Sequence, residues 1–438
     1  MIVISVLRRL CVAIRRSIAY SRLSVNLFIK NIHQLVTCAS GGKRMKVGRE
    51  MQDIGLLENA AVLCEQGKIT WVGPMTAWDR KLPDDFSELD AEGQVVLPGF
   101  VDSHTHMVFA GDRADEFALR AQGATYQQIA EAGGGILSTI TNVRATTKRD
   151  LKRQALRHLN GMMKQGTTTV EVKSGYGLDF DAEIKMMEAI HELEREEMMT
   201  VVPTFIGAHA VPPEFKGNTP AYVDLVVNEM IPYVGRKKLA AFCDVFCEKG
   251  YFELEDSERI LAAGKNAGMV PKIHAEELTS LGGAQLAARV GAVSADHLEH
   301  VSDEGIAALR TGGVVATLLP GVSFFLNHGY APARKMIDGN VAVAIASDFN
   351  PGSCMSYSMP FMMTIACTQM RMTPEEALTA STINGAAALN LSSSIGSIEV
   401  GKIADLIVAA IPDYRHLAYH FGTQHVVATV KNGTILEL

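Results

Sequence analysis

The chain has 438 residues, 47% hydrophobic and 20% charged, with a formal net charge of −7, enough to bury the core of a large catalytic domain and a smaller companion. No apolar run approaches the roughly 20 residues of a membrane helix. Residues 1–49 hold ten of the 41 bases and no acid, so the rest sets 31 bases against 48 acids, an excess that argues against nucleic acid as a partner.

Seven scattered cysteines without a Cys-x-x-Cys exclude a disulfide framework and fit a reducing, cytoplasmic setting. Cys243 and Cys247 share a strand face and read as buried thiols. The stretch from Met1 to about Ser24 carries Arg8, Arg9, Arg15, Arg16 and Arg22 among apolar residues and no acid, the composition of an organelle-targeting peptide. The reading preferred here is a basic extension over 1–26 that lies outside the fold.

From 27 to 96, short apolar runs are broken by turn residues, as in Ala60–Cys64 and Lys68–Gly73, and the same pattern returns over 401–438 with an Asn432-Gly433 hairpin turn. Both stretches are expected to form one small β-sandwich domain. Between them, over 97–400, eight strand candidates alternate with amphipathic helices: Val96–His106, Thr167–Val172, Thr200–His209, Cys243–Cys247, Val270–His274, Ala292–His297, Gly313–Leu319 and Val341–Asp348. Asp150–Gln165 and Asp181–Glu194 have helical spacing with Asp at the N-cap. Eight β-then-α units predict a (β/α)8 barrel of the TIM type, an α/β fold whose chemistry sits at the C-terminal strand ends.

Asp102-Ser-His-Thr-His106 ends the first candidate strand. Alternation sends His104 and His106 to one side, a two-ligand metal half-site. His274 and Asp348 close other strands, and a buried carboxylate calls for a cation or donor. Three imidazoles and a carboxylate leave a position for water, as catalytic metal sites require, and a metal there would bring the pKa of water towards neutrality.

His297 is a further polar strand end, whereas alternation turns Asp296 away and His300 reads as a loop residue. Spacing does not choose between Glu276 and Glu277, and His209 faces substrate or metal. The remaining histidines, including His158 and His191, are expected to be packed or solvated, those two facing away from the strand ends.

The motifs Ala121-Gln-Gly-Ala-Thr-Tyr126, Ala132-Gly-Gly-Gly-Ile136, Lys173-Ser-Gly-Tyr-Gly177, Gly207-Ala-His-Ala-Val-Pro212 and Asp348-Phe-Asn-Pro-Gly-Ser353 resemble the amidohydrolase superfamily and, within it, the imidazolonepropionase family, from about Asn59 to the C-terminus. The resemblance implies hydrolysis of the ring C–N bond of 4-imidazolone-5-propanoate to N-formimino-L-glutamate in histidine degradation. It implies one zinc or iron ion per subunit on His104, His106, His274 and Asp348. Arg113, Tyr126, Tyr176, His209, Glu277, Asn350, Gly352 and Ser353 would bind the substrate, with catalytic roles for Glu277, His297 and Asp348.

A carboxylate-bearing substrate on an acidic protein needs local donors such as Arg113. The expected partner is a small molecule, with no nucleic acid and no membrane, and the expected assembly a homodimer. Lys173 is assigned to the substrate loop, leaving no lysine to bridge two metals. The competing readings are another amidohydrolase, such as a nucleobase deaminase, and a non-catalytic relative serving as an interaction module. Deleting Met1–Ser24 should leave turnover unchanged, as checked by comparing kcat and KM of the truncated and full chains.

Overall fold

The computed structural model describes residues 26–436 apart from 125–127, 129–133 and 197, so residues 1–25 of the basic leader and Tyr126 lie outside the described residues, while Asn26, counted in that leader, already opens a strand of the small sheet. Eight parallel strands follow one another around a barrel: Phe100–Asp102, Thr167–Lys173, Thr200–Ala208, Phe242–Cys247, Ile273–Ala275, Ser294–His297, Val315–Leu318 and Val343–Ile345. The first and last are joined past their ends, where Asp348 N donates to His104 O at 3.0 Å and His106 N to Phe349 O at 3.0 Å. Beneath this seam the buried Asp102 carboxylate accepts from Ser347 N at 2.9 Å and Ser347 Oγ at 2.5 Å. This is the expected barrel.

Its helices start as the local chemistry dictates. Lys148–Lys164 is capped by Thr147, whose side chain accepts from Asp150 N; the cap therefore precedes the expected Asp150. Asp179 Oδ1 accepts from Ala182 N at 2.8 Å at the head of Phe180–Glu196, a role expected of Asp181. Apolar faces of these helices pack on the outside of the strands in one continuous core. The barrel floor is closed by Ala386 and Leu389, packed against Val101, Val202, Phe242 and Val293.

The second sheet draws on both ends of the chain. Its path runs Thr434–Leu436, Val426–Lys431, Leu406–Ala409, Val95–Pro98, Asn26–Val36, Leu56–Glu65 and Lys68–Pro74, with Phe86–Asp90 alongside Asn26–Val36. It curls on itself, so that Leu27, Ile29 and Val62 share a core with Leu406, Val408 and Val430. Val95–Pro98 joins the N-terminal strands to the C-terminal ones.

The single run expected from Val96 to His106 is thus two strands in two sheets. Gly99 N donates to Asp405 O at 3.0 Å in the small sheet, and Phe100 N to Gly166 O at 2.9 Å in the barrel. A Cβ on Gly99 would lie 2.3 Å from Thr168 Cγ2 and 2.9 Å from Thr168 Cβ, and a β-branched side chain has little freedom to yield. Gly99→Ala should cost about 1–3 kcal/mol, read as a lower urea midpoint with an unchanged m-value.

Candidate active site

Five histidines and one aspartate meet at the C-terminal mouth: His104 and His106 from the first strand, His209, His274 and His297 from the third, fifth and sixth, and Asp348 after the eighth. The His104 and His274 ring centres lie 4.5 Å apart, and His209 stacks on His106 at 4.6 Å with 11° between planes. Nδ1 of His104 is 2.7 Å from Asp296 Oδ2, that of His106 is 3.3 Å from Ser174 O, and that of His274 is 3.0 Å from Asp244 Oδ2. For His104 and His106 an Nδ1 bonded to these acceptors carries the proton, which leaves the Nε2 lone pair for the centre.

Those Nε2 atoms converge. His106 Nε2 is 3.3 Å from His274 Nε2, and Asp348 Oδ1 is 3.5 Å from His104 Nε2 and 3.8 Å from His106 Nε2. His104 Nε2 and Asp348 Oδ1 are buried without a hydrogen-bond partner. Donors held about 2.0–2.1 Å from a tetrahedral ion lie about 3.4 Å apart, so the His106–His274 and His104–Asp348 separations match those of ligands on one ion. His104, His106 and Asp348 form one of several overlapping triples here, others including His209 or His297, able to hold a metal. Burial pushes the His104 and His106 pKa values well below the ordinary histidine value, keeping both rings in the neutral, ligating form. Burial pushes Asp348 well up; a cation beside it would restore the carboxylate.

Under the histidines lies a buried charge network that the alternation argument missed. Lys173 Nζ reaches Asp244 Oδ2 at 2.7 Å, Glu171 at 3.0 Å and Asp296 Oδ2 at 3.5 Å. Lys272 Nζ reaches Glu171 Oε2 at 2.8 Å and donates to Ser103 O at 3.0 Å. Thr204 Oγ1 and Ser294 Oγ donate to Glu171 and Asp296. Burial alone would lower the Lys173 pKa, but Asp244, Glu171 and Asp296 outweigh it and hold the ammonium charged.

Lys173 is therefore a barrel-interior residue, not part of the substrate loop. Asp296, set aside above, faces the same interior as His297, because His297 and Leu298 have φ of 80° and 69°, where strand alternation ends.

His297 Nε2 is 3.6 Å from Glu277 Oε2 and its Nδ1 is 3.8 Å from Glu299 Oε2. Burial and Glu248 push Glu277 up to about 7. Glu299, unforeseen in the sequence, is pushed well up by burial and then by Glu277. Glu276 Oε1 instead accepts from Gly282 N at 3.1 Å, and His300 is exposed. His209 Nδ1 faces Gly175 O at 3.0 Å, and burial pushes its pKa down to about 3.

Tyr176 is buried, its ring 5.7 Å from His106 and 5.5 Å from His209. Arg113 Nε and Nη2 donate to Thr139 Oγ1 at 3.0 and 2.9 Å.

Asn350 Nδ2 donates to Asp348 O and Ser353 Oγ at 2.7 Å each, and Oδ1 accepts from Gly352 N and Ser353 N at 2.8 Å each. The Asn350 amide is thus occupied in shaping the loop, and Ser353 Oγ turns to Asp348 Oδ2 at 3.4 Å. His158, expected to face away from the strand ends, packs towards one: its Nδ1 is 3.2 Å from Met107 O and its ring stacks on Phe109.

Asp296→Asn should weaken divalent-metal affinity about 10–100-fold with the circular dichroism spectrum retained, measured by chelator competition.

The amidohydrolase family description matches residues 251–436. An imidazolonepropionase of Parabacteroides distasonis is 50% identical over 93% of this chain and 98% of its own length. That of Symbiobacterium thermophilum is 48% identical over 94% of this chain and 97% of its own. Among solved structures, an adenosine deaminase of Xanthomonas campestris with bound zinc superposes with a TM-score of 0.67 at 18% identity, covering 94% of this chain and 92% of the other; this likeness is one of fold. At half identity along nearly the whole length, the chain belongs to the imidazolonepropionase family of the amidohydrolases.

Proposed function

We propose that the chain hydrolyses the ring amide C–N bond of 4-imidazolone-5-propanoate to N-formimino-L-glutamate, using one zinc or iron ion on His104, His106, His274 and Asp348. The observation that carries this reading is the convergence of three Nε2 atoms and one carboxylate oxygen at the barrel mouth, with the Arg113 guanidinium near the Asp348–Ser353 loop. When bound, the ion supplies a Lewis acid for the ring carbonyl and lowers the pKa of water.

The protein groups do the rest. Arg113, fixed by Thr139, offers its free N–H groups to the propanoate. Tyr176 remains a neutral phenol, its pKa raised by burial, and so donates. His209 stays neutral and keeps Nε2 for the substrate. Glu277, with Oε2 beside His297, is placed to take a proton from the attacking water and return it to the leaving ring nitrogen. Asn350 positions the loop, leaving Ser353 Oγ as the polar group that can turn to the substrate.

Among the described residues no helix is long and apolar enough to cross a membrane, and the described cysteines are free thiols; both fit the cytoplasmic location proposed here. In the homodimer proposed here, the exposed Tyr419 and Phe421 are apolar surface available for covering.

The purified chain should consume imidazolonepropanoate, followed by its absorbance, and lose activity on chelation with recovery on adding zinc or iron. Asp348→Ala should lower kcat/KM by at least about a thousandfold. Ammonia release from a nucleobase, with imidazolonepropanoate left intact, would replace this reading by a deaminase.

A further inference from the structure

The mouth of the barrel carries a second guanidinium. Arg113 stands at the head of the helix Ala114–Ala121 and Arg120 in its last turn; seven residues apart, they lie on one helix face. Both reach the same peptide of the loop after the last strand. A Cβ on Gly352 would lie 2.4 Å from Arg113 Nη1, and Gly352 O accepts from Arg120 Nη2 at 3.4 Å. Arg120 is held over the Phe325 ring at 4.9 Å.

Neither arginine has a carboxylate within ion-pair distance among the described residues, in a chain with 48 acids. The nearby Glu116 is engaged elsewhere, its Oε1 accepting from Gly135 N at 2.9 Å. Burial, opposed by Glu116 and reinforced by the Arg113 charge, pushes the Arg120 pKa below its ordinary value. Two like charges brought to one glycine need an anion to offset their repulsion.

Resting on the reaction proposed above, we infer that Arg120 is a specificity residue: with Arg113 it forms a two-guanidinium clamp on the substrate carboxylate, closed against the Gly352 peptide. The ring end of the substrate then lies towards the histidines and the carboxylate end between the arginines. The requirement for glycine at 352 follows, because a side chain there would occupy the space of the Arg113 guanidinium.

The test separates a clamp from a loop prop. In Arg120→Gln, KM for imidazolonepropanoate and Ki for imidazole-4-propanoate should each rise about tenfold, with the effect in KM rather than kcat. Ki for 4-ethylimidazole, which has the ring without the carboxylate, should not move. Arg120→Lys should recover part of the loss. Equal shifts for both inhibitors would show that Arg120 only holds the loop, and an unchanged KM would remove it from the site; either result overturns the clamp. If the wild-type chain leaves imidazolonepropanoate intact, the proposed reaction fails instead, and the two inhibitors, scored by displacement of a bound chromophoric metal chelator, still test the clamp.

Discussion

Everything at the barrel mouth depends on the buried charges beneath it. Lys173 and Lys272 sit in a space sealed from water and are tolerated there because Glu171, Asp244 and Asp296 surround them. Removing one member of such a set leaves a charge without its partner, at a cost of about 3–5 kcal/mol. The set orients as well as balances: Asp296 and Asp244 are the residues that face Nδ1 of His104 and His274. Asp348 stands outside this set, its pKa pushed well up by burial. A cation beside it would supply the positive charge that holds it as a carboxylate. A metal site and its supporting charges are thus one electrostatic object, and the barrel walls give it a low dielectric in which orientation matters.

The strand ends bend to complete that object. Glu276, His297 and Asp348 all have φ between 48° and 80°, a left-handed conformation costly for residues with a Cβ. Neighbouring hydrogen bonds hold them there. Leu298 N donates to Ala275 O at 3.1 Å and His300 N to Glu276 O at 2.9 Å, while the Asn350 amide makes four bonds within the loop after Asp348. The sharp exit from each strand lets successive residues contribute to one site, as Asp296 and His297 do.

This also explains what could and could not be read before the fold was known. The eight strand positions were legible because strands covered by helices are nearly unbroken apolar runs, as in Val341–Ala346. His104, His106, His274 and Asp348 were legible because they terminate such runs. The polar interior is hidden at the strand tips, where the backbone leaves the β region and alternation fails, and shows only along the strands, where alternation holds. Glu171-Val-Lys173, Lys272-Ile-His274 and Ser294-Ala-Asp296 each set polar groups two apart, the mark of a charged inward face. The crossing at Gly99 left a fainter trace, a Pro98-Gly99 pair inside an apolar run, and Arg120 left none, since its neighbours are set by tertiary packing.

The distribution of charge gives the site a direction. The chain beyond residue 49 is strongly acidic, so an anionic substrate is repelled at long range and must be held by local groups. Those groups stand at one side of the mouth, where Arg113 and Arg120 meet Gly352; the acids Glu277, Glu299 and Asp348, whose pKa values burial raises, stand nearer the histidines. A substrate with a carboxylate at one end and a ring amide at the other has one favourable orientation in that field: carboxylate to the arginines, ring to the histidines. Reversed, it would take its carboxylate away from both arginines and its ring amide away from the histidines. Binding and alignment of the scissile bond therefore follow from the same arrangement of charges, and a neutral ring of similar shape would gain neither.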